Sequence, residues 1–149
     1  MTLWNAITEI LAALVGTLGF CILFHIRGRR LLAAAFGGML SWALFLLFGL
    51  WLDSEVLRYF LVSVCTTLYS ELMARAFKTP TTTFCVVTLI PLIPGGSLYE
   101  TTVAAIRGST SELAPMLLHT VELAMALSLG IILVTAVFRQ FSLHFLRRN

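Results

Sequence analysis

The chain has 149 residues, of which 59% are apolar and only 11% charged, and its mean hydropathy is +0.97. That much apolar surface excludes a freely soluble domain of this size and leaves an integral membrane protein. The net charge of +3 is small, and three cysteines with neither paired spacing nor a histidine cluster nearby support no disulfide framework and no zinc site.

A hydrocarbon core of about 30 Å takes about 20 apolar residues per helix. Five runs between charge clusters have that length, roughly 3–26, 31–52, 56–74, 80–107 and 112–138. The expected fold class is an all-α polytopic membrane protein, one five-helix transmembrane domain over residues 1–149. The first run carries Glu9, has no basic residue before Arg27 and is longer than a signal-peptide apolar region, so it reads as a span rather than a cleavable signal. Asn5 and Glu9 fall in its outer part, facing other helices. The small-residue patches "GTLG" (16–19) and, in the second run, "AAAFGG" (33–38) predict close helix approach.

In the third run Glu71 and Arg75 are four apart in the favourable order and predict an intrahelical ion pair. With Lys78 they also place charge at an inner mouth, where an anionic substrate would be attracted. Cys21, Cys65 and Cys85 all lie in apolar runs and read as small buried residues.

The fourth run, "KTPTTTFCVVTLIPLIPGGSLYETT", has no charge from Thr79 to Tyr99 yet carries two prolines and a glycine pair where a lipid-crossing helix is most regular. Thr79 followed by Pro80 predicts a cap and a first helical position. Pro91 and Pro94 deprive the carbonyls of Val87 and Ile90 of their donors, and Gly95 and Gly96 add chain freedom, so the helix should stop near mid-membrane. Ser97 and Glu100 have the spacing of a capping box, which predicts an immediate restart. In lipid such a break implies a buried polar place. Free N–H groups at a half-helix start suit a carboxylate, and unwound carbonyls suit an ammonium group or a cation. The substrate-binding candidates are Pro94, Gly95, Gly96, Ser97 and Tyr99; a structural proline kink is the alternative.

Within the fifth run Glu122 lies about 14 Å from Leu113 at about 1.5 Å per residue, near the midplane, with His119 on the same face. The two are candidates for proton coupling, the alternative being a structural hydrogen bond to a neighbouring helix. The tail "FRQFSLHFLRRN" alternates bulky apolar with polar and basic residues, as suits a helix end at an anionic leaflet or a snorkelling span end.

Eight of the ten basic residues (Arg27, Arg29, Arg30, Arg75, Lys78, Arg139, Arg147, Arg148) fall on one side of this layout, and only Arg58 and Arg107 on the other. Basic short loops stay cytoplasmic, so the N-terminus is expected outside and the C-terminus inside, with Asp53, Glu55 and Glu112 in outer connections.

The segment "RAFKTPTTTFCVVTLIPLIPGGSLYETT", together with five spans in so short a chain, resembles the small-subunit half of the threonine/serine exporter family. Its specific part is Arg75, Lys78, Pro80, Phe84 and the block from Ile90 to Tyr99. The resemblance implies secondary export of threonine and serine, or of dicarboxylates such as succinate in two-subunit relatives, driven by the proton gradient. It also implies work beside a larger membrane protein. An odd number of spans agrees with that, because a second five-span unit inserted upside down gives the inverted repeats common in secondary transporters, and the charge bias assigns that role to another protein.

No nucleophile elbow, phosphate loop or metal motif is present, so an enzyme is not expected. Nor is a cofactor or a nucleic-acid partner. A scaffold subunit whose partner holds the substrate site, and a channel, are the rival readings. The expected location is the cell membrane, bacterial inner or plasma membrane, with lipids, the larger exporter subunit and a small-molecule substrate as partners.

Overall fold

The computed structural model describes residues 3–108 and 110–146, with side chains described at 4–108 and 111–140. Helices α1 (Leu3–Leu23), α2 (Arg29–Gly49) and α3 (Glu55–Ala76) come first. They are followed by the short α4 (Thr81–Leu89), a 3₁₀ turn (Ile90–Leu92), α5 (Gly95–Arg107) and the long α6 (Thr110–Leu146). All of these elements are helical, and there is no strand among the described residues.

Local chemistry sets most of the helix ends. Ser54 caps α3 by accepting the Leu57 N–H at 3.4 Å. Glu55 in its first turn and Arg75 in its last both suit the helix dipole. The turn after α3 bonds Thr79 N–H to the Ala74 carbonyl and Lys78 N–H to that of Arg75, with Lys78 at a φ of 49°. This is a Schellman closure built on a non-glycine residue. Gly108, at φ 70°, closes α5 in the left-handed conformation that glycine adopts without strain.

Helix α3 lies at the centre, packed against α2, α4 and α6. Ser63, Thr66, Thr67, Ser70 and Glu71 are buried on it. Contacts in matching order, Glu55 with His119 and Arg75 with Phe138, show that α3 and α6 run in the same direction. Packed around α3 are three clusters: Cys21, Ala34, Ala74, Phe84 and Val87; Val62, Leu89 and Leu92; and Tyr59, Leu123 and Ala126. The "AAAFGG" patch packs as expected: a Cβ on Gly37 would meet Thr88 and Tyr69, and one on Gly38 would meet Thr17. The "GTLG" patch differs. Gly16 and Gly19 face open space, and only Thr17 between them is buried.

Helices α1, α2 and α6 are each long and apolar enough to cross a membrane, and α4 with α5, bent by 59° at the break, makes a fourth span if the pair is one. Five spans were expected, and α3 is the one that does not qualify by composition. Its polar residues lie against other helices, so burial within protein, rather than apolarity, shields them. The cysteines are free, Cys21 buried and Cys65 and Cys85 half-buried.

Candidate functional site

The fourth run is broken where the prolines stand, and the backbone shows how. Pro91 has no N–H for the Val87 carbonyl, so the Ile90 N–H takes it and the helix tightens to a 3₁₀ turn. Pro94 leaves the Ile90 carbonyl in the same position, and the Ile93 N–H takes that one at 3.1 Å. Ile93, preceding a proline, is extended at ψ 125°, and α5 then starts in a new direction.

Both expected caps are corrected. Helix α4 begins at Thr81 with Pro80 in the cap position, and the Thr79 hydroxyl is buried without a hydrogen bond. The Schellman turn draws the Thr79 backbone back toward α3, away from the start of α4. Helix α5 begins at Gly95, which places Ser97 inside its first turn, and there is no side-chain cap. No capping box forms from Ser97 and Glu100, because the helix restarts three residues earlier than that motif requires.

The early restart leaves N–H groups open. Gly95 N–H reaches the Ile93 carbonyl at 2.6 Å, and the next bond runs from Leu98 N–H to the Pro94 carbonyl at 3.0 Å. Between them the N–H groups of Gly96 and Ser97 have no partner among the described residues. Nothing stands within 4 Å of a Cβ built on Gly95 or Gly96. The carbonyls of Ile90, Ile93 and Pro94, by contrast, are all occupied. The break thus offers donors for an anion, while of its carbonyls only those of Pro91 and Leu92 carry no hydrogen bond among the described residues. Tyr99 is exposed one turn beyond the glycines, where it lines a cleft between α5 and α6 with Glu100, Arg107 and Glu112.

On the other side of the break, Pro91 lines a groove of about 260 Å³ with Glu9, Ala12, Ala13 and Trp42. The Trp42 indole N–H donates to Glu9 Oε2 at 3.3 Å.

His119 and Glu122 share a face of α6, His119 Nδ1 standing 4.0 Å from Glu122 Oε2. The closer neighbour is one that the sequence reading placed only in an outer connection: His119 Nε2 lies 3.1 Å from Glu55 Oε2, on the first residue of α3. Glu122 faces Val56, Leu57 and Phe60, also in the first turns of α3. The pair therefore sits beside the N-terminal end of α3.

At the opposite end Arg75 bonds Glu71 Oε2 at 2.6 Å, the intrahelical pair that was expected. Its guanidinium also lies 4.3 Å from the centre of the Phe138 ring. Lys78 is exposed beside it, and Arg30 reaches the Phe77 carbonyl at 3.5 Å. The tail residues Arg147 and Arg148 lie outside the described residues.

Sequence reasoning missed a line of hydroxyls. Ser63, Thr66, Thr67 and Ser70 are spaced so as to share one side of α3, and Ser70 meets Thr88 of α4 at 2.9 Å. The Thr66 and Thr67 hydroxyls are buried without hydrogen bonds. The signal was there in "SVCTTLYS", a polar stripe at helical spacing within an apolar run. Among the described residues no cluster of three or more His, Cys, Asp or Glu is arranged to hold a metal.

A model of the family described as "Threonine/Serine exporter, ThrE" matches residues 9–137 of the chain. No curated protein and no solved structure matches it.

Proposed function

Since the chain belongs to the threonine/serine exporter family, we propose that it is the small subunit of a secondary-active exporter of small carboxylate metabolites, threonine and serine first, driven by the proton gradient across the cell membrane. The observation that carries this reading is the restart of α5. Two N–H groups at a helix start, positive in dipole and open, suit a substrate carboxylate.

Their exposure supports the subunit reading. In a bilayer, unpaired backbone groups facing lipid cost several kcal/mol each, so a second protein must close over this end. Helix α3 is the fifth span in this reading, shielded by α2, α4 and α6. The basic side of the chain is cytoplasmic, the N-terminus is outside, and an odd span count calls for a larger partner of inverted topology.

Export of threonine, serine and succinate from loaded cells tests the proposal, with this chain alone, a larger candidate partner alone, or both. Export only with both supports it. Export by this chain alone replaces the hetero-complex with a homo-oligomer. No export in any arm, with the complex present in the membrane, removes the transport reading.

A further inference from the structure

We propose that Glu9 receives the ammonium group of an amino-acid substrate and thereby selects amino acids over dicarboxylates; this rests on the exporter reading above. Two ends of a zwitterion need two kinds of partner. The break supplies N–H donors at Gly96 and Ser97 for the anionic end. For the cationic end a carboxylate is a stronger partner than a neutral carbonyl, and Glu9 shares a groove with Pro91 of the break.

The surroundings of Glu9 are those of a binding carboxylate rather than of half an ion pair. No Lys, Arg or His forms a salt bridge with it among the described residues. Helices α1 and α4 and the 3₁₀ turn carry no basic residue. The basic residues of α2, Arg29 and Arg30, lie at the far end of that helix, about 18 Å from Trp42 at about 1.5 Å per residue. Trp42 can only donate, and it holds Oε2, while Oε1 makes no hydrogen bond among the described residues. A carboxylate so placed in a membrane helix is costly unless something cationic or protic completes it.

Charge then narrows the occupant. An ammonium group gains a charge-assisted hydrogen bond from Glu9. The second carboxylate of a dicarboxylate meets like charge in a poorly screened place.

Inside-out membrane vesicles from native cells carrying Glu9→Gln on the chromosome, so that any partner is present, provide the test. The probes are threonine and 3-hydroxybutyrate, which is threonine without its amino group. Glu9→Gln is expected to raise the half-saturating threonine concentration about tenfold or more, the scale of a hydrogen bond to a charged group. The value for 3-hydroxybutyrate should move by less than about twofold, so that selectivity between the two collapses.

Unchanged selectivity overturns the proposal, whether both probes weaken together, as a proton-carrying or purely structural Glu9 would make them, or neither moves. Should Glu9→Gln not accumulate, Trp42→Phe frees the carboxylate from its anchor and is judged by the same ratio. Wild-type vesicles that carry neither threonine nor serine point instead to failure of the exporter reading.

Discussion

His119 Nε2 stands 3.1 Å from Glu55 Oε2, a contact that joins the start of α3 to α6 across 64 residues of sequence. Glu122 lies farther from the same ring, at 4.0 Å. If this cluster couples proton movement to export, the nearer carboxylate matters at least as much as the farther one. Glu55→Gln and Glu122→Gln are each expected to lower gradient-driven threonine export about tenfold and to leave gradient-free threonine exchange largely intact. Normal driven export in Glu55→Gln would reduce that residue to a helix tie.

Gly95 and Gly96 occupy the first turn of α5 with open space around them. A Cβ there meets nothing within 4 Å beyond the local helix backbone among the described residues, and leucine improves helix propensity by up to about 1 kcal/mol per residue. Gly95→Leu and Gly96→Leu should therefore leave thermal stability unchanged or slightly raised while transport falls at least tenfold. Co-purification with the partner locates the cause: an intact complex assigns the loss to the substrate site, and a lost complex assigns it to the interface.

Gly130 is the opposite case, since its Cβ position is already filled by Ser63 Oγ and the Phe60 carbonyl. Gly130→Ala should drive α3 and α6 apart and cost about 1–3 kcal/mol, whereas Gly16→Ala, in open space, should not destabilise the chain. Unfolding in detergent, followed for both variants, checks the contrast; equal behaviour would mean that α3 and α6 do not pack this closely.

The Ser70–Thr88 hydroxyl pair joins α3 to α4 at 2.9 Å. Interhelical hydrogen bonds in membranes average about 0.6 kcal/mol, so Ser70→Ala and Thr88→Val should each destabilise by about that much or slightly more. A double-mutant cycle should give a coupling of the same size. Zero coupling would show that each hydroxyl is served by its own helix, where Thr88 also bonds the Phe84 carbonyl.

Lys78 holds a φ of 49°, a conformation that costs a non-glycine residue about 1 kcal/mol. Lys78→Gly should leave the turn after α3 in place and raise stability by up to that amount. Arginine retains both the charge and the strain. Comparing anionic-substrate capture in the two variants separates the charge of Lys78 from its backbone role.

The break between α4 and α5 was legible because proline chemistry is local: a missing N–H and a crowded preceding carbonyl act wherever the residue stands. Its caps were not. Whether Thr79 or Ser97 caps a helix depends on where the chain turns, and the Schellman closure at Lys78 and the restart at Gly95 moved both helix starts. The hydroxyl stripe from Ser63 to Ser70 was visible as spacing, but its burial required knowing that α3 is central.

Membrane class, the apolar runs, the Glu71–Arg75 pair and the broken fourth helix were determined by sequence alone, since hydropathy, proline sterics and i,i+4 spacing operate within a few residues of one another. Only the tertiary structure decided that Glu55 meets His119, that Trp42 holds Glu9 beside Pro91, and that α3 tolerates its polar residues. Those pairings join residues up to 64 positions apart, and helix packing rather than local preference sets which faces meet.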